Sequence, residues 1–287
     1  MNVLAFGEVL WDVYPDKKII GGAPLNFAAH LARHGDYVSL LSAIGDDDDG
    51  VEAVELMRGW GISTDLISVS ERATGKCLVT LDSDAIPSYN LLQDVAYDYV
   101  DCDKSLDNFD VLYFGTLSLR SKQNMDLLKR ILDSNSFEEI FVDLNIRQPF
   151  STVEAVEFAL EKATILKVSD EELPFVAKAL GIEDTKDYKT FAKVLSGKFE
   201  NLKCIVVTLG AKGAYAVDAS NGIERECEAI PAKLASTVGA GDSFSAAFLH
   251  QYQSADLESA LIYASKIAGY VVSKCDAVPE YDLADFA

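Results

Sequence analysis

The chain has 287 residues, 49% of them hydrophobic, which is enough for one or two domains with a sizeable core. Its 46 acids against 25 bases give a formal net charge of −21, a surface that repels nucleic acid and anionic membranes. No apolar run is long enough for a membrane span, and the five cysteines are scattered, so a disulfide framework or zinc knot is not expected.

The chain opens with "NVLAFGEVL", a short apolar run that reads as a buried strand of a cytoplasmic protein rather than an export signal. "PLNFAAHLARHG" starts with Pro24 and closes with Gly35, the asymmetry expected of a helix. His30 and His34 lie four apart on it, a spacing that suits a metal pair or a partly exposed pair near the helix end. "YVSLLSAIG" is a second buried strand, followed by "DDDDG" and the helical "VEAVELMRGWG". Between about 62 and 100 the texture changes. "KCLVTLD" and "PSYNLLQDV" flank the turn-rich "DSDAIP", and the segment reads as a small lid sheet or as core sheet.

The strand–helix rhythm then returns. "DVLYFGTL", "EEIFVDLN", "TILKVS" and "LKCIVVTLG" read as strands, with helical patterns between them. "AYAVDA" and the Asn221-Gly222 turn suggest antiparallel additions, and two helices at about 240–252 and 256–272 finish the chain. Such alternation predicts an α/β fold with an open, mostly parallel sheet covered on both faces. Ligands gather at the carboxyl ends of strands in such sheets, which selects Asp12, Gly45, Gly115, Asn145, Lys167 and Gly210.

"STVGAGDSF" at 236–244 carries the strongest chemical signal. Gly239, Ala240 and Gly241 leave room for an anion at the open amides of a helix start, where the helix dipole favours negative charge. Asp242 beside them either caps the helix or faces a second reactant and accepts the proton of an attacking hydroxyl. Thr208, Gly210 and Gly213 border a nucleotide or form a simple turn. At the other end Asp12, Gly22 and Asn26 suit the vicinal hydroxyls of a sugar, or serve as turn and cap. Asp143, Asn145 and Arg147 alternate at a strand end; Arg147 approaches phosphate or a sugar oxygen, or pairs with Asp143. Lys167 is followed by acids, of which Glu172 could hold Mg²⁺ through water. The P-loop, the dinucleotide fingerprint and H-E-x-x-H are all absent from the sequence.

"GGAPLNFAAHLARHG" together with "STVGAGDSFSAAF" resembles the ribokinase-like, or pfkB, family of sugar kinases, and the resemblance covers essentially the whole chain. "GEVLWDVYP", "YFGTLSLR" and "VDLNIR" resemble the fructokinase branch. The resemblance implies a single three-layer α/β/α domain with a β lid from about 13–20 and 62–100, and ATP- and Mg²⁺-dependent phosphorylation of a sugar's primary hydroxyl. Fructose is the first expectation; 2-keto-3-deoxygluconate, ribose, a nucleoside, or sugar binding without catalysis are the alternatives. It makes Asp242 the base, Gly239–Gly241 the anion hole, Asp12, Gly22 and Asn26 the sugar set, and Gly210 and Gly213 the nucleotide loop. Lys167 and Glu172 fall near metal and phosphate, Arg120 and Asn145 near the substrate, and Arg147 among the catalytic groups that steady the phosphoryl oxygens. Lids of this kind pair between subunits, which implies a homodimer. Three departures stand out. Ser236 replaces the acid that helps hold a monovalent cation in the family, Asp276 replaces a small residue near the adenine pocket, and Asp49 replaces an aromatic.

Overall fold

The computed structural model describes residues 1–81, 87–182 and 187–286. Most of the expected "DSDAIP" turn therefore lies outside the described residues. The strands are β1 (Asn2–Phe6), β2 (Leu10–Val13), β3 (Lys18–Gly21), β4 (Tyr37–Gly45), β5 (Ile67–Ser70), β6 (Gly75–Leu81), β7 (Pro87–Leu91), β8 (Val111–Phe114), β9 (Glu139–Asp143), β10 (Ile165–Ser169), β11 (Cys204–Thr208), β12 (Ala214–Asp218) and β13 (Ile223–Cys227). The helices are α1 (Ala23–Arg33), α2 (Asp48–Gly59), α3 (Lys122–Ser134), α4 (Val153–Lys162), α5 (Leu173–Leu180), α6 (Tyr188–Lys198), α7 (Ala240–Tyr252) and α8 (Leu257–Val271).

The large sheet has the order β13-β12-β11-β10-β9-β8-β1-β4-β5. Its members run parallel from β11 to β5, and β12 and β13 add antiparallel at one edge. The period of two along each strand divides the core. Leu4, Phe6, Leu112 and Phe114 pack with apolar residues of α3–α6 on one face. Val3, Ala5, Val111 and Tyr113 pack with those of α1, α2, α7 and α8 on the other. The result is the expected three-layer α/β/α arrangement. The chain leaves β1 towards β4 and later returns to β1's other side with β8, so the strand order reverses there. A crevice opens at the carboxyl ends of strands at such a reversal.

A second sheet has the order β3-β2-β6-β7, with β2 and β6 parallel and the outer pairs antiparallel. This small mixed sheet is the expected lid, and its extent differs from the reading of 62–100 as one excursion. Ile67–Ser70 pairs in parallel with Ser42–Gly45 and extends the large sheet as its edge. The lid strands are Leu10–Val13, Lys18–Gly21, Gly75–Leu81 and Pro87–Leu91. Asp49, where the family carries an aromatic, ties the lid to α2. Its carboxylate accepts from Lys18 Nζ at 2.5 Å and pairs with Lys76 Nζ at 2.6 Å, and its carbonyl accepts from Trp11 Nε1 at 3.1 Å.

The metal reading of His30 and His34 is not met. His30 is buried, with Nδ1 against Tyr281 Oη at 2.8 Å and Nε2 against the Ala277 carbonyl at 2.9 Å. His34 is buried rather than partly exposed, and its Nδ1 faces the His30 carbonyl at 2.7 Å. Burial pushes His30 down to about 4, so it is a neutral core residue joining α1 to the C-terminal segment.

Candidate active site

The first turn of α7 faces the crevice. Gly239 precedes it at φ 79°, and a Cβ there would lie 2.5 Å from the Ala277 carbonyl oxygen, so only glycine fits this close approach. Gly239 is buried, whereas Ala240 and Gly241 are half-buried and Val238 is exposed, so the helix start is not sealed off. The Ala240 amide donates to the Thr237 carbonyl at 3.3 Å, whereas the Gly241 and Asp242 amides have no backbone acceptor among the described residues, the arrangement that can cradle an anion. The Ser236 hydroxyl accepts from the Val238 amide at 3.1 Å, so the residue replacing the family acid shapes the approach to the cradle.

Asp242 is buried within α7, and Asn26 Nδ2 on α1 donates to its Oδ2 at 2.8 Å. Burial raises the Asp242 carboxyl, opposed by the Asn26 hydrogen bond and the positive charges of Lys167 and Arg147. A carboxylate lifted towards neutrality is a better proton acceptor than a solvated one. Asn26 thus joins the sugar-binding expectation to the acid itself; its Oδ1 has no protein partner.

Gly22 precedes α1 at φ 122°, where a Cβ would lie 2.3 Å from the Glu8 carbonyl oxygen. Glu8, absent from the sequence expectations, is buried here. Its Oε1 accepts from the Ala23 amide at 3.2 Å and its Oε2 from Ser118 Oγ at 2.8 Å. An acid one residue after a strand-ending glycine was the available signal. Asp12, half-buried on β2, sits opposite Cys77 of β6. Its carboxyl is raised by burial, opposed by a hydrogen bond with the Cys77 thiol and by the charge of Arg147.

Asn145 and Arg147 lie on the loop after β9. Asn145 adopts φ 41°, in the left-handed region that asparagine tolerates. Ser151 Oγ accepts from the Arg147 amide at 2.8 Å and meets Thr116 Oγ1 at 2.9 Å, which fixes the loop on β8's end. Arg147 is exposed, and its positive charge acts on Glu8, Asp12 and Asp242. It is not paired with Asp143. That acid, fully buried, accepts from Lys167 Nζ at 3.0 Å and from Ser245 Oγ at 2.9 Å. Burial pushes Asp143 up to about 6 against the pull of Lys167. Burial also works against the charged form of Lys167, but Asp143, Glu172 and Asp242 outweigh it and hold the ammonium above the usual lysine range. The Lys167 Nζ lies 3.1 Å from where a Gly241 Cβ would stand.

Glu172 clamps two strand ends: Oε1 accepts from the Ile146 amide at 2.5 Å and Oε2 from the Ser169 amide at 2.7 Å. Among the described residues no group of three or more His, Cys, Asp or Glu could hold a metal. Arg120 lines a cavity of about 470 Å³ with Asp98, Tyr99 and Phe150. Its Nε and Nη2 are committed to Asp98 at 2.7 and 2.9 Å and to the Leu92 carbonyl at 2.7 Å, while its buried Nη1 has no protein partner among the described residues, so Arg120 both builds the wall and keeps one donor for a ligand. Thr208 ends β11, and Gly210 and Gly213 follow it. Gly210 is exposed at φ 56°, and a Cβ on Gly213 would lie 1.9 Å from the Cys227 carbonyl oxygen. The structure thus brings Asp242, Asn26, Lys167 and the cradle together, with Asp12 and Arg147 in electrostatic reach. The turn at Gly210 and Gly213 stands at the end of β11, on the same sheet edge.

Residues 5–280 match the model of the pfkB family carbohydrate kinase. The chain belongs to that family. As a pfkB member it is an ATP-dependent sugar kinase. It is 28% identical to probable fructokinase-3 of Arabidopsis thaliana over 313 aligned positions, covering 96% of this chain and 87% of that one. It is 25% identical to the 5-dehydro-2-deoxygluconokinase of Bacillus licheniformis, covering 96% of this chain and 87% of that one. In fold it is similar to the fructokinase of Xylella fastidiosa solved with bound ATP, with a TM-score of 0.83 at 21% identity over 96% of this chain and 94% of that one. No described helix of this pfkB protein is long and apolar enough to cross a membrane.

Proposed function

We propose that this kinase transfers the terminal phosphoryl group of ATP to the primary hydroxyl of a neutral sugar, with D-fructose giving D-fructose 6-phosphate. The observation that carries this reading is Asp242, buried and bonded to Asn26, at the head of a helix whose Gly241 amide has no backbone acceptor among the described residues. Asp242 accepts the proton of the attacking hydroxyl as the oxygen engages phosphorus. The amides at Gly239, Ala240 and Gly241, with Lys167, stabilise the charge on the transferring group. Asp12, Gly22, Asn26, Asn145 and Arg147 bind the sugar under the lid, and Thr208, Gly210 and Gly213 border the nucleotide.

Mg²⁺ fits this donor set as an ion carried mainly by phosphates and water. Each Glu172 oxygen accepts one backbone amide and keeps a lone pair, enough for a water-mediated contact. When bound, the ion supplies charge neutralisation on the phosphates. The charge balance favours a neutral acceptor over a sugar acid. Arg147 already faces Glu8, Asp12 and Asp242, and Arg120 is neutralised by Asp98. Resemblance to fructokinases supports fructose, and the gluconokinase relative makes a deoxy keto-sugar acid, the anionic class the charge balance disfavours, the acceptor to test beside it. The experiment is ADP release with Mg-ATP against fructose, ribose, 2-keto-3-deoxygluconate, 5-dehydro-2-deoxygluconate and adenosine, for the native enzyme and Asp242→Asn. Fructose should give the highest kcat/KM, and the variant should lose at least about 100-fold in kcat. A folded Asp242→Asn enzyme with full kcat would remove the base from the mechanism.

A further inference from the structure

Asp143 has no part in the chemistry described so far, yet it sits at the junction of three elements. It ends β9, and its two carboxylate oxygens are spent on different neighbours. Oδ1 accepts from Lys167 of β10 at 3.0 Å, and Oδ2 accepts from Ser245 of α7 at 2.9 Å. Ser245 and Asp242 are three residues apart on α7, hence on adjoining parts of one helix surface. All of these groups are buried: Asp143 and Ser245 are 0% exposed and Lys167 is 7% exposed.

Stability alone does not explain such an arrangement. A buried ion pair pays a large desolvation cost, and well-packed apolar residues of similar volume usually do as well or better. The geometry supplies another reason. Lys167 carries three N–H donors and gives one to Asp143. Its ammonium stands 3.1 Å from the Cβ position of Gly241, directly against the anion cradle. Lysine is a point charge on a flexible four-carbon stem, so an accurate position for that charge must come from its partner. Glu172 joins the ends of β9 and β10 through the Ile146 and Ser169 amides, which holds Asp143 and Lys167 side by side.

We propose that Asp143, acting with Ser245, is a positioning residue for phosphoryl transfer: it fixes the Lys167 ammonium beneath the cradle and bolts the second turn of α7, one turn beyond Asp242, to the sheet. This rests on the sugar-kinase reading above. Asp143 touches neither reactant; it sets the relation between the positive charge, the open amides and Asp242. A misplacement of about 1 Å in such a site costs about 100-fold in rate.

The test compares Asp143→Asn, Ser245→Ala, Lys167→Met and the double variant Asp143→Asn/Lys167→Met in sugar-dependent ADP release. Calorimetric affinities for fructose and for a non-hydrolysable ATP analogue accompany the rates. Asp143→Asn keeps the shape and an acceptor for Ser245 but loses the charge that holds Lys167. Its kcat should fall about 100-fold, with the KM and affinity for fructose within about twofold of native. Its affinity for the ATP analogue should fall, and the double variant should be no slower than Lys167→Met alone. Ser245→Ala should lose about tenfold in kcat, again at unchanged fructose KM. If Asp143→Asn does not fold, the Ser245→Ala result decides. Folded variants with kcat within twofold of native, or losses that add in the double variant, would overturn the proposal. An active native enzyme with indifferent variants defeats only this inference; a native enzyme that releases no ADP with any sugar defeats the kinase mechanism and this inference with it.

Discussion

Replacing Gly239 by alanine separates the cradle's geometry from its chemistry. The backbone there has φ 79°, and an added Cβ would stand 2.5 Å from the Ala277 carbonyl oxygen and 2.7 Å from its Cα. The left-handed conformation costs alanine about 1–2 kcal/mol. Relieving the contact means shifting backbone, and overpacking of this kind costs about 1–3 kcal/mol. Together Gly239→Ala should destabilise by about 2–5 kcal/mol, a fall of roughly 3–8 °C in Tm for a chain of this size. Whatever shift relieves the clash also moves the cradle amides, so kcat should drop by at least about tenfold. Gly241→Ala is the internal control. Its Cβ would meet only the far end of the flexible Lys167 side chain, at 3.1 Å, so it should melt near the native temperature and still lose kcat. Thermal melts and ADP release on the same preparations read both quantities. A Gly239→Ala enzyme that melts within about 2 °C of native and keeps its kcat would refute the reasoning.

Further outcomes follow from other parts of the structure. Asp49→Asn removes the shared acceptor of Lys18 and Lys76, so the KM for sugar should rise with little change in kcat, and the difference should shrink in high salt. His30 is held at about 4, below its unfolded value of 6.5, so the neutral form carries stability that is complete above pH 6.5 and lost as pH falls towards 4. The loss amounts to about 3 kcal/mol, visible as a steeper acid limb in urea unfolding for native protein than for His30→Asn; parallel limbs would contradict it. Arg120→Met strands the buried Asp98 carboxylate and should cost about 3–5 kcal/mol in chemical unfolding. Retained kcat per folded molecule would support the wall-building task, and a selective rise in sugar KM would favour direct sugar contact.

The sequence was most legible where chemistry is local. The alternation of apolar strands with amphipathic helices predicted the layered α/β body, and Pro24 and Gly35 bracketed α1 because their backbone constraints act on the spot. The segment "STVGAGDSF" announced an open helix start because glycines and an acid can be read without knowing what lies opposite. Partnerships across distance were not legible. Asp143 is 24 residues from Lys167 and 102 from Ser245, so nothing in "VDLNIR" distinguishes its true partner from the nearby Arg147. The tie of Arg120 to Asp98, 22 residues away, is hidden for the same reason. The histidine pair misled because helical spacing says that two rings share a face, but not whether that face meets solvent or Tyr281. The lid was overextended at Ile67–Ser70, since a short β-branched run has the same composition whether it borders a small sheet or a large one.

The hydrogen bond between Asn26 and Asp242 spans 216 positions of chain. A ribosome therefore finishes α1 long before Asp242 has been made. Until α7 and α8 arrive, α1 and α2 alone cover their face of the sheet. On the proposed mechanism a chain truncated before α7 lacks its base, and should be silent rather than leaky.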